Sequence, residues 1–237
     1  NSLTKKDKFK LIFKRILLIH SLKKAKRIFV QTDHMFNELS LFYKKENLNI
    51  ANIRLLPINI PNKQDANKIS YYDFQLFYPC VDLPHKRCNL AIDSALSASK
   101  IKRKIGLVIT IKQPNYLESN KQIIFTKNIN KKKIISIYRG SSALLITSDK
   151  ESLGLPILEA LTYDLPVIGP RLPYVEELLG DSACYFNSFS KKEIKEAIIN
   201  CYEKYDDWKL KIIQRKKLYE HYPKTMEKCW NSLLACI

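Results

Sequence analysis

The chain has very little glycine and no long apolar run. Five of its 237 residues are glycine, far below the usual ~7%, which argues against glycine-rich repeats and against sites built from several glycine-rich phosphate loops. No run approaches the ~20 apolar residues of a membrane-spanning helix. Apolar residues still make up 46% of the chain, so the composition is that of a globular protein with a sizeable core.

Cysteine and histidine are present, but not at metal-binding spacing. The six cysteines form no Cys-x-x-Cys pair and the four histidines are scattered, so we expect no metal site. An even number of cysteines is compatible with disulfides. We expect, however, a cytoplasmic chain without a secretion signal, and therefore reduced thiols.

Acidic residues are few relative to basic ones, which leaves a net charge of +18. Residues 1–27 hold ten Lys or Arg and one acid, and apolar residues recur between them at helical spacing. This pattern predicts a basic amphipathic helix. Two interpretations are balanced: peripheral contact with an anionic membrane surface on its inner face, or packing on a neighbouring domain. Nucleic acid is less favoured, because single-strand readers interleave aromatic and basic residues, whereas Phe9 and Phe13 lie on the apolar stripe.

Short apolar runs alternate with amphipathic segments along the rest of the chain. The predicted strands are 27–32, 53–56, 74–78, 104–111, 122–126, 143–147, 166–168 and 184–186. The predicted helices are 33–45, 89–100, 131–141, 155–161 and 174–179, with further helices from about 191. This alternation predicts an α/β fold, a Rossmann-like parallel sheet with helices on both faces.

One loop between a predicted strand and helix combines features of a ligand site. Gly154 allows close backbone approach, Pro156 suits the first turn of a helix, and the helix N-terminus attracts anions. Glu151 and Glu159 flank this turn. Carboxylates repel phosphate alone, but they can accept hydrogen bonds from the hydroxyls of a sugar nucleotide. The alternative, acids that stabilise the helix dipole, has even weight from spacing alone.

The same block resembles a known family. Seven residues that include Gly-Leu-Pro separate Glu151 from Glu159, which is similar to the E-x7-E motif of retaining GT-B glycosyltransferases of family 4, also called glycosyl transferase group 1. Residues 159–187 resemble the family sequence that follows the motif. Residues 77–79 and 84–86 are similar to the first strand and loop of its donor-binding domain.

The resemblance implies roles for individual side chains. Glu151 would contact the transferred sugar, and Glu159 would bind the ribose hydroxyls. Lys86 would neutralise the leaving diphosphate, so that Glu151 and Lys86 form the catalytic pair. Arg87 is the candidate substitute for an arginine that the family often places in the preceding loop.

The resemblance also implies backbone contacts and the absence of a cofactor. The N–H groups around Leu153, Gly154 and Leu155 would meet the sugar and the diphosphate. The donor would be a nucleoside-diphosphate sugar, without a divalent metal or other cofactor.

The resemblance covers roughly residues 28–201 and implies a domain plan. Residues 1–58 would be the end of an acceptor-side domain, 59–72 a linker and 73–205 the donor-binding domain. Residues 206–237 would be helices that pack back towards the first domain. We therefore expect the acceptor pocket and its catalytic histidine to lie outside this sequence, which would leave this chain alone incomplete as an enzyme.

The implied function is transfer of a hexose-type sugar, with retention, to a glycan or lipid-linked acceptor in cell-surface polysaccharide synthesis. Two alternatives stay open. One is a non-catalytic sugar-nucleotide-binding fragment or pseudoenzyme. The other is a basic membrane- or nucleic-acid-binding module that uses residues 1–27.

Overall fold

The computed structural model describes residues 5–42, 50–52, 67–115, 117 and 120–219. The chain divides into two units, residues 1–56 and residues 57–237. The predicted strand at 53–56, most of the predicted linker and the end of the predicted C-terminal segment lie outside the described residues. The domain plan drawn from the resemblance therefore stays a prediction.

The first unit contains the basic helix. Its elements are α1 (Lys5–Lys24), β1 (Ile28–Val30), α2 (Asp33–Phe42) and β2 (Ile50–Asn52), and β1 pairs in parallel with β2. The helix expected in the basic segment is confirmed. Five of its apolar side chains are between 51% and 72% exposed: Phe9, Ile12, Phe13, Ile16 and Leu17. No helix in the described part of the chain is long and apolar enough to span a membrane.

The second unit is built on a six-stranded parallel sheet with the order β5-β4-β3-β6-β7-β8. Its strands are β3 (Phe74–Tyr78), β4 (Ile105–Ile109), β5 (Ile123–Phe125), β6 (Ala143–Leu145), β7 (Val167–Pro170) and β8 (Cys184–Phe186). Every residue of β3 and β4 is buried, as expected of apolar strands covered on both faces. The predicted Rossmann-like α/β fold class is confirmed.

Helices follow most strands of this sheet. They are α3 (Cys88–Ile101), α4 (Lys131–Gly140), α5 (Leu155–Thr162), α6 (Pro173–Leu179), α7 (Lys191–Glu203) and α8 (Tyr205–Lys217). Alanines on α3 are fully buried and allow close packing against α7. The last described helix, α8, packs on α5 and α7, where Trp208 Nε1 donates to Asn200 Oδ1 at 3.0 Å.

The strand order determines where a ligand can bind. The chain runs outward from β3 through β4 to β5, and then returns to the other side of β3 with β6. In open parallel sheets ligands bind at the carboxyl ends of strands where this order reverses. The loops that follow β3 and β6 therefore form the expected site.

Candidate functional site

The loop after β3 is fixed to the loop after β6. A short 3₁₀ turn spans Pro84–Lys86. The backbone carbonyl of Lys86 accepts hydrogen bonds from the Tyr78 hydroxyl at 2.7 Å and the Thr147 hydroxyl at 2.9 Å. The Asp149 N–H donates to the His85 carbonyl at 2.9 Å. These contacts hold the backbone of Lys86 in place, so its side chain emerges from a defined point.

The structure brings the two predicted catalytic residues together. The Lys86 ammonium forms an ion pair with the Glu151 carboxylate. Their side chains are only 14% and 15% exposed, so the pair is less screened by solvent than a surface pair. A partly buried cation beside a carboxylate, at the carboxyl ends of β3 and β6, suits a ligand that carries both negative charge and hydroxyl groups.

Arg87 lies beside this pair, but its guanidinium is engaged. Its backbone is left-handed, with φ of 49°. Nε and Nη2 donate to Asp149 Oδ2 at 3.0 and 2.7 Å, and the guanidinium carbon lies 4.4 Å from the centre of the Phe189 ring. The other carboxylate oxygen of Asp149 is buried and has no hydrogen-bond partner within the described ranges. The role of Arg87 towards a diphosphate stays a prediction.

The turn into α5 forms the next part of the site. Gly154 is the N-cap of α5 and has φ of 69°, a left-handed conformation that glycine adopts readily. A Cβ there would lie 3.2 Å from Ile157 Cδ1 and 3.3 Å from Leu178 Cδ1. Leu153 is buried and Leu155 is half-exposed. Pro156 has no N–H group and the Ile157 N–H donates to the Gly154 carbonyl at 2.8 Å. The N–H groups of the turn before Pro156 are therefore the ones that can bind an anion.

Glu159 lies on α5 and is held by a tyrosine. The Tyr138 hydroxyl donates to Glu159 Oε2 at 2.7 Å. Burial raises the pKa of Glu159 above its ordinary value, and the hydrogen bond from Tyr138 and the charge of Lys131 oppose that rise. The carboxylate thus lies in a partly desolvated position and has one oxygen engaged, which fits a group that binds a ligand hydroxyl.

Sequence reasoning missed two tyrosines that build this site. Tyr138 lies on α4, 21 residues before its partner, and Tyr174 on α6 donates to the Ser148 carbonyl at 2.8 Å below the turn. Both are buried aromatic residues of amphipathic helices, which a sequence pattern assigns to the core. The described residues contain no group of three or more His, Cys, Asp or Glu side chains that could hold a metal ion.

Part of the second unit is similar to a known family. Residues 110–220 match the family described as "Glycosyl transferases group 1". The chain is 32% identical to the serotype-specific mannosyltransferase WbdA of Escherichia coli over 89 residues, which cover 38% of this chain and 10% of that protein. It is 24% identical to the O-antigen chain mannosyltransferase RfbU of Salmonella typhimurium over 200 residues, 80% of this chain and 54% of that protein.

Solved structures share the fold. The pneumococcal O-GlcNAc transferase GtfA, in complex with UDP and GlcNAc, superposes with a TM-score of 0.70 at 16% identity, over 92% of this chain and 46% of that chain. The C-terminal domain of the group 1 family protein LpcC from Francisella tularensis gives a TM-score of 0.54 at 20% identity, over 65% and 93%.

The chain spans at most about half the length of the two sequence relatives, 10% of one and 54% of the other. The match at residues 110–220 contains the β6–α5 turn, Glu151 and Glu159, and it includes the four strands β5 to β8 of the six-stranded sheet. Residues 110–220 are therefore similar to the glycosyl transferases group 1 family, and the second unit shares the Rossmann-like fold of the solved glycosyltransferase structures.

Proposed function

We propose that the second unit binds a nucleoside-diphosphate sugar, and that the sugar is transferred with retention of configuration to a glycan or lipid-linked acceptor. The observation that carries the proposal is the Lys86–Glu151 pair beside the N-terminus of α5. The bond between the sugar C1 and the diphosphate oxygen breaks, a bond between C1 and the oxygen of an acceptor hydroxyl forms, and the proton of that hydroxyl passes to the departing diphosphate. Negative charge develops on the departing diphosphate, where Lys86 and the N-terminus of α5 stabilise it.

The sugar and the ribose have separate partners in this proposal. Glu151 accepts hydrogen bonds from the sugar hydroxyls, and the N–H groups around Gly154 approach the sugar and the diphosphate. Glu159 accepts a hydrogen bond from the ribose. The proposal assigns the domain to the retaining family 4 enzymes and gives a metal ion no role, because Lys86 and the helix N-terminus supply the positive charge.

The names of the relatives suggest the donor to test first. WbdA is a serotype-specific mannosyltransferase and RfbU an O-antigen chain mannosyltransferase. We therefore propose a mannosyl donor and a product that belongs to a cell-surface polysaccharide. The exposed apolar side chains and basic residues of α1 support a further proposal, that the protein is cytoplasmic and binds peripherally to the inner face of the membrane.

Calorimetry on the 237-residue chain tests the donor site. GDP-mannose is titrated beside UDP, ADP and dTDP sugars, each with and without EDTA. We expect a sugar nucleotide to bind equally well in both buffers. Glu159→Ala should weaken this binding by about 1.5–3 kcal/mol, ~10- to 150-fold in Kd, because a hydrogen bond to a charged group is lost.

Matched controls separate site effects from general effects of charge. Glu196→Ala removes an exposed acid on α7, and Lys100→Ala an exposed lysine on α3; neither should change nucleotide affinity. Lys86→Ala should weaken binding of both the sugar nucleotide and the free nucleoside diphosphate. A folded Glu159→Ala variant with unchanged affinity would refute the ribose contact, and binding that requires Mg²⁺ or Mn²⁺ would refute metal independence.

A further inference from the structure

One hydrogen bond connects α4 to the proposed ribose contact. The Tyr138 hydroxyl donates to Glu159 Oε2 at 2.7 Å, the usual length of an O–H···O hydrogen bond. One carboxylate oxygen is thereby engaged by the protein. The other, Oε1, keeps its capacity to accept a hydrogen bond from a ligand hydroxyl.

Tyr138 is itself held from two sides. The side chain is 1% exposed. The Phe77 ring on β3 meets it edge-to-face at 4.8 Å, and the Tyr163 ring at the end of α5 stacks on it at 5.4 Å with an interplanar angle of 14°. A ring packed in this way keeps its hydroxyl at a fixed point. The hydroxyl can therefore orient Glu159 before a ligand arrives.

We propose that Tyr138 is a positioning residue for donor binding, which fixes one oxygen of Glu159 so that the other faces the ribose. This inference rests on the proposed function, since it needs Glu159 to be the ribose contact. The competing explanation is that Tyr138 serves only to fill the core. The neighbouring Tyr163 provides the contrast, because its buried hydroxyl has no hydrogen-bond partner in the described part of the chain.

Nucleotide affinity should depend on pH through the charge of Glu159. Burial raises the pKa of Glu159, while two groups from α4, Tyr138 and Lys131, lower it. Tyr163, the residue that follows α5, faces Glu159 as well; its own pKa is raised, so its hydroxyl stays neutral and leaves the charge of Glu159 unaffected. The ionised carboxylate of Glu159 accepts hydrogen bonds from the ribose more strongly than the protonated acid does. The affinity for a ribonucleotide therefore falls as the pH falls through the pKa of Glu159. Removing the Tyr138 hydroxyl raises the pKa further and moves that loss of affinity to higher pH.

The test measures Kd for GDP and UDP from about pH 5 to 8.5 on the full chain, and repeats the titration with 2′,3′-dideoxy nucleotides. Tyr138→Phe should weaken ribonucleotide binding about tenfold at neutral pH. As the pH is lowered, this variant should begin to lose nucleotide affinity at a higher pH than the wild type does. Its preference for ribonucleotides over dideoxynucleotides should also be smaller. Tyr163→Phe, which keeps the ring stack and removes a hydroxyl without a partner, should behave as wild type.

Three further variants separate the role of Glu159 from that of Tyr138. Glu159→Gln should remove the loss of nucleotide affinity at low pH. The double variant Glu159→Gln/Tyr138→Phe should bind nucleotides nearly as well as Glu159→Gln alone. If Tyr138→Phe does not fold, 3-fluorotyrosine introduced at position 138, a stronger donor of nearly the same size, should move the loss of affinity to lower pH.

Different results would refute the ribose contact of Glu159 and the positioning role of Tyr138. An unchanged pH profile and ribose preference in Glu159→Gln would refute the ribose contact, and with it the proposed function of that residue. If Glu159→Gln shows the expected loss but Tyr138→Phe or the fluorotyrosine variant keeps the wild-type profile, the ribose contact stands and the positioning role is refuted.

Discussion

Lys86 and Glu151 neutralise one another in the structure, and this bears on how each meets a donor. A diphosphate carries more negative charge than one carboxylate and competes for the Lys86 ammonium. Once the ammonium turns to the diphosphate, Glu151 can accept hydrogen bonds from the sugar. The ion pair thus keeps a cation and a hydroxyl acceptor next to each other without leaving either charge uncompensated in a partly buried position.

This arrangement predicts that loss of the Glu151 charge affects the free nucleoside diphosphate and the intact sugar nucleotide differently. Glu151→Gln should strengthen binding of free GDP or UDP about 3- to 10-fold, because Lys86 no longer has a competing carboxylate; the gain should shrink at high salt. Binding of the intact sugar nucleotide should not gain, since a sugar contact is lost. Calorimetry with both ligands at two salt concentrations measures the difference.

The control for this prediction is Glu176→Gln, which breaks an exposed ion pair with Arg171 and should leave both affinities unchanged. Equal tightening of both ligands in Glu151→Gln would show that Glu151 does not contact the sugar. Weaker binding of free GDP or UDP by Glu151→Gln would contradict the idea that Glu151 and the diphosphate compete for Lys86.

At the scale of elements, the turn between β6 and α5 depends on one backbone conformation. Gly154→Ala places a Cβ at φ of 69° and within 3.3 Å of two side chains. We expect a loss of about 1–3 kcal/mol in the free energy of unfolding, the usual cost of a strained residue, and weaker nucleotide binding because the first N–H groups of α5 move. Denaturant unfolding and calorimetry measure the two effects.

Gly169→Ala is the matched control. Gly169 lies in the buried strand β7, yet an added Cβ would meet Val175 at an ordinary distance of 3.6 Å, and no left-handed backbone is involved. Its unfolding free energy and nucleotide affinity should stay near those of the wild type. If Gly154→Ala is as stable and binds as well as Gly169→Ala, the left-handed turn is not required.

Sequence predicted the elements of the sheet better than the contacts between them. The strands at 74–78 and 184–186 have the predicted bounds, because continuous apolar runs between polar turns leave few alternatives. The strand β2 was missed: Ile50–Asn52 has one strongly β-favouring residue in three. The contacts of Arg87 with Asp149 and of Tyr138 with Glu159 join residues 62 and 21 positions apart, and only the folded sheet brings these together.

The candidate site shows the same division. Glu151, Gly154 and Glu159 could be named from one contiguous block, since the spacing of a turn and a helix is local. That Lys86 pairs with Glu151 depends on β3 and β6 being neighbours at the reversal of strand order. The sequence motif predicted which residues belong to the site, and the strand topology determines which of them are in contact.

At the scale of the whole molecule, the charge and the exposed face of α1 lead to the last prediction. The chain carries a net charge of +18, and five apolar residues of α1 are more than half exposed. A basic helix of this kind gains affinity for an anionic bilayer from both charge and insertion. The chain should therefore sediment with phosphatidylglycerol vesicles and not with phosphatidylcholine vesicles.

Substitution tests whether α1 inserts or whether charge alone suffices. The double variant Ile12→Glu/Ile16→Glu should lose most vesicle binding, because it places carboxylates on the inserted face. Leu210→Glu, at a 56% exposed apolar position of α8, should not. Binding that survives in the double variant and disappears at about 0.5 M salt, where screening is strong, would show attraction by net charge without insertion. Equal affinity for DNA would favour a nucleic-acid module, and no vesicle binding would favour packing on a neighbouring domain.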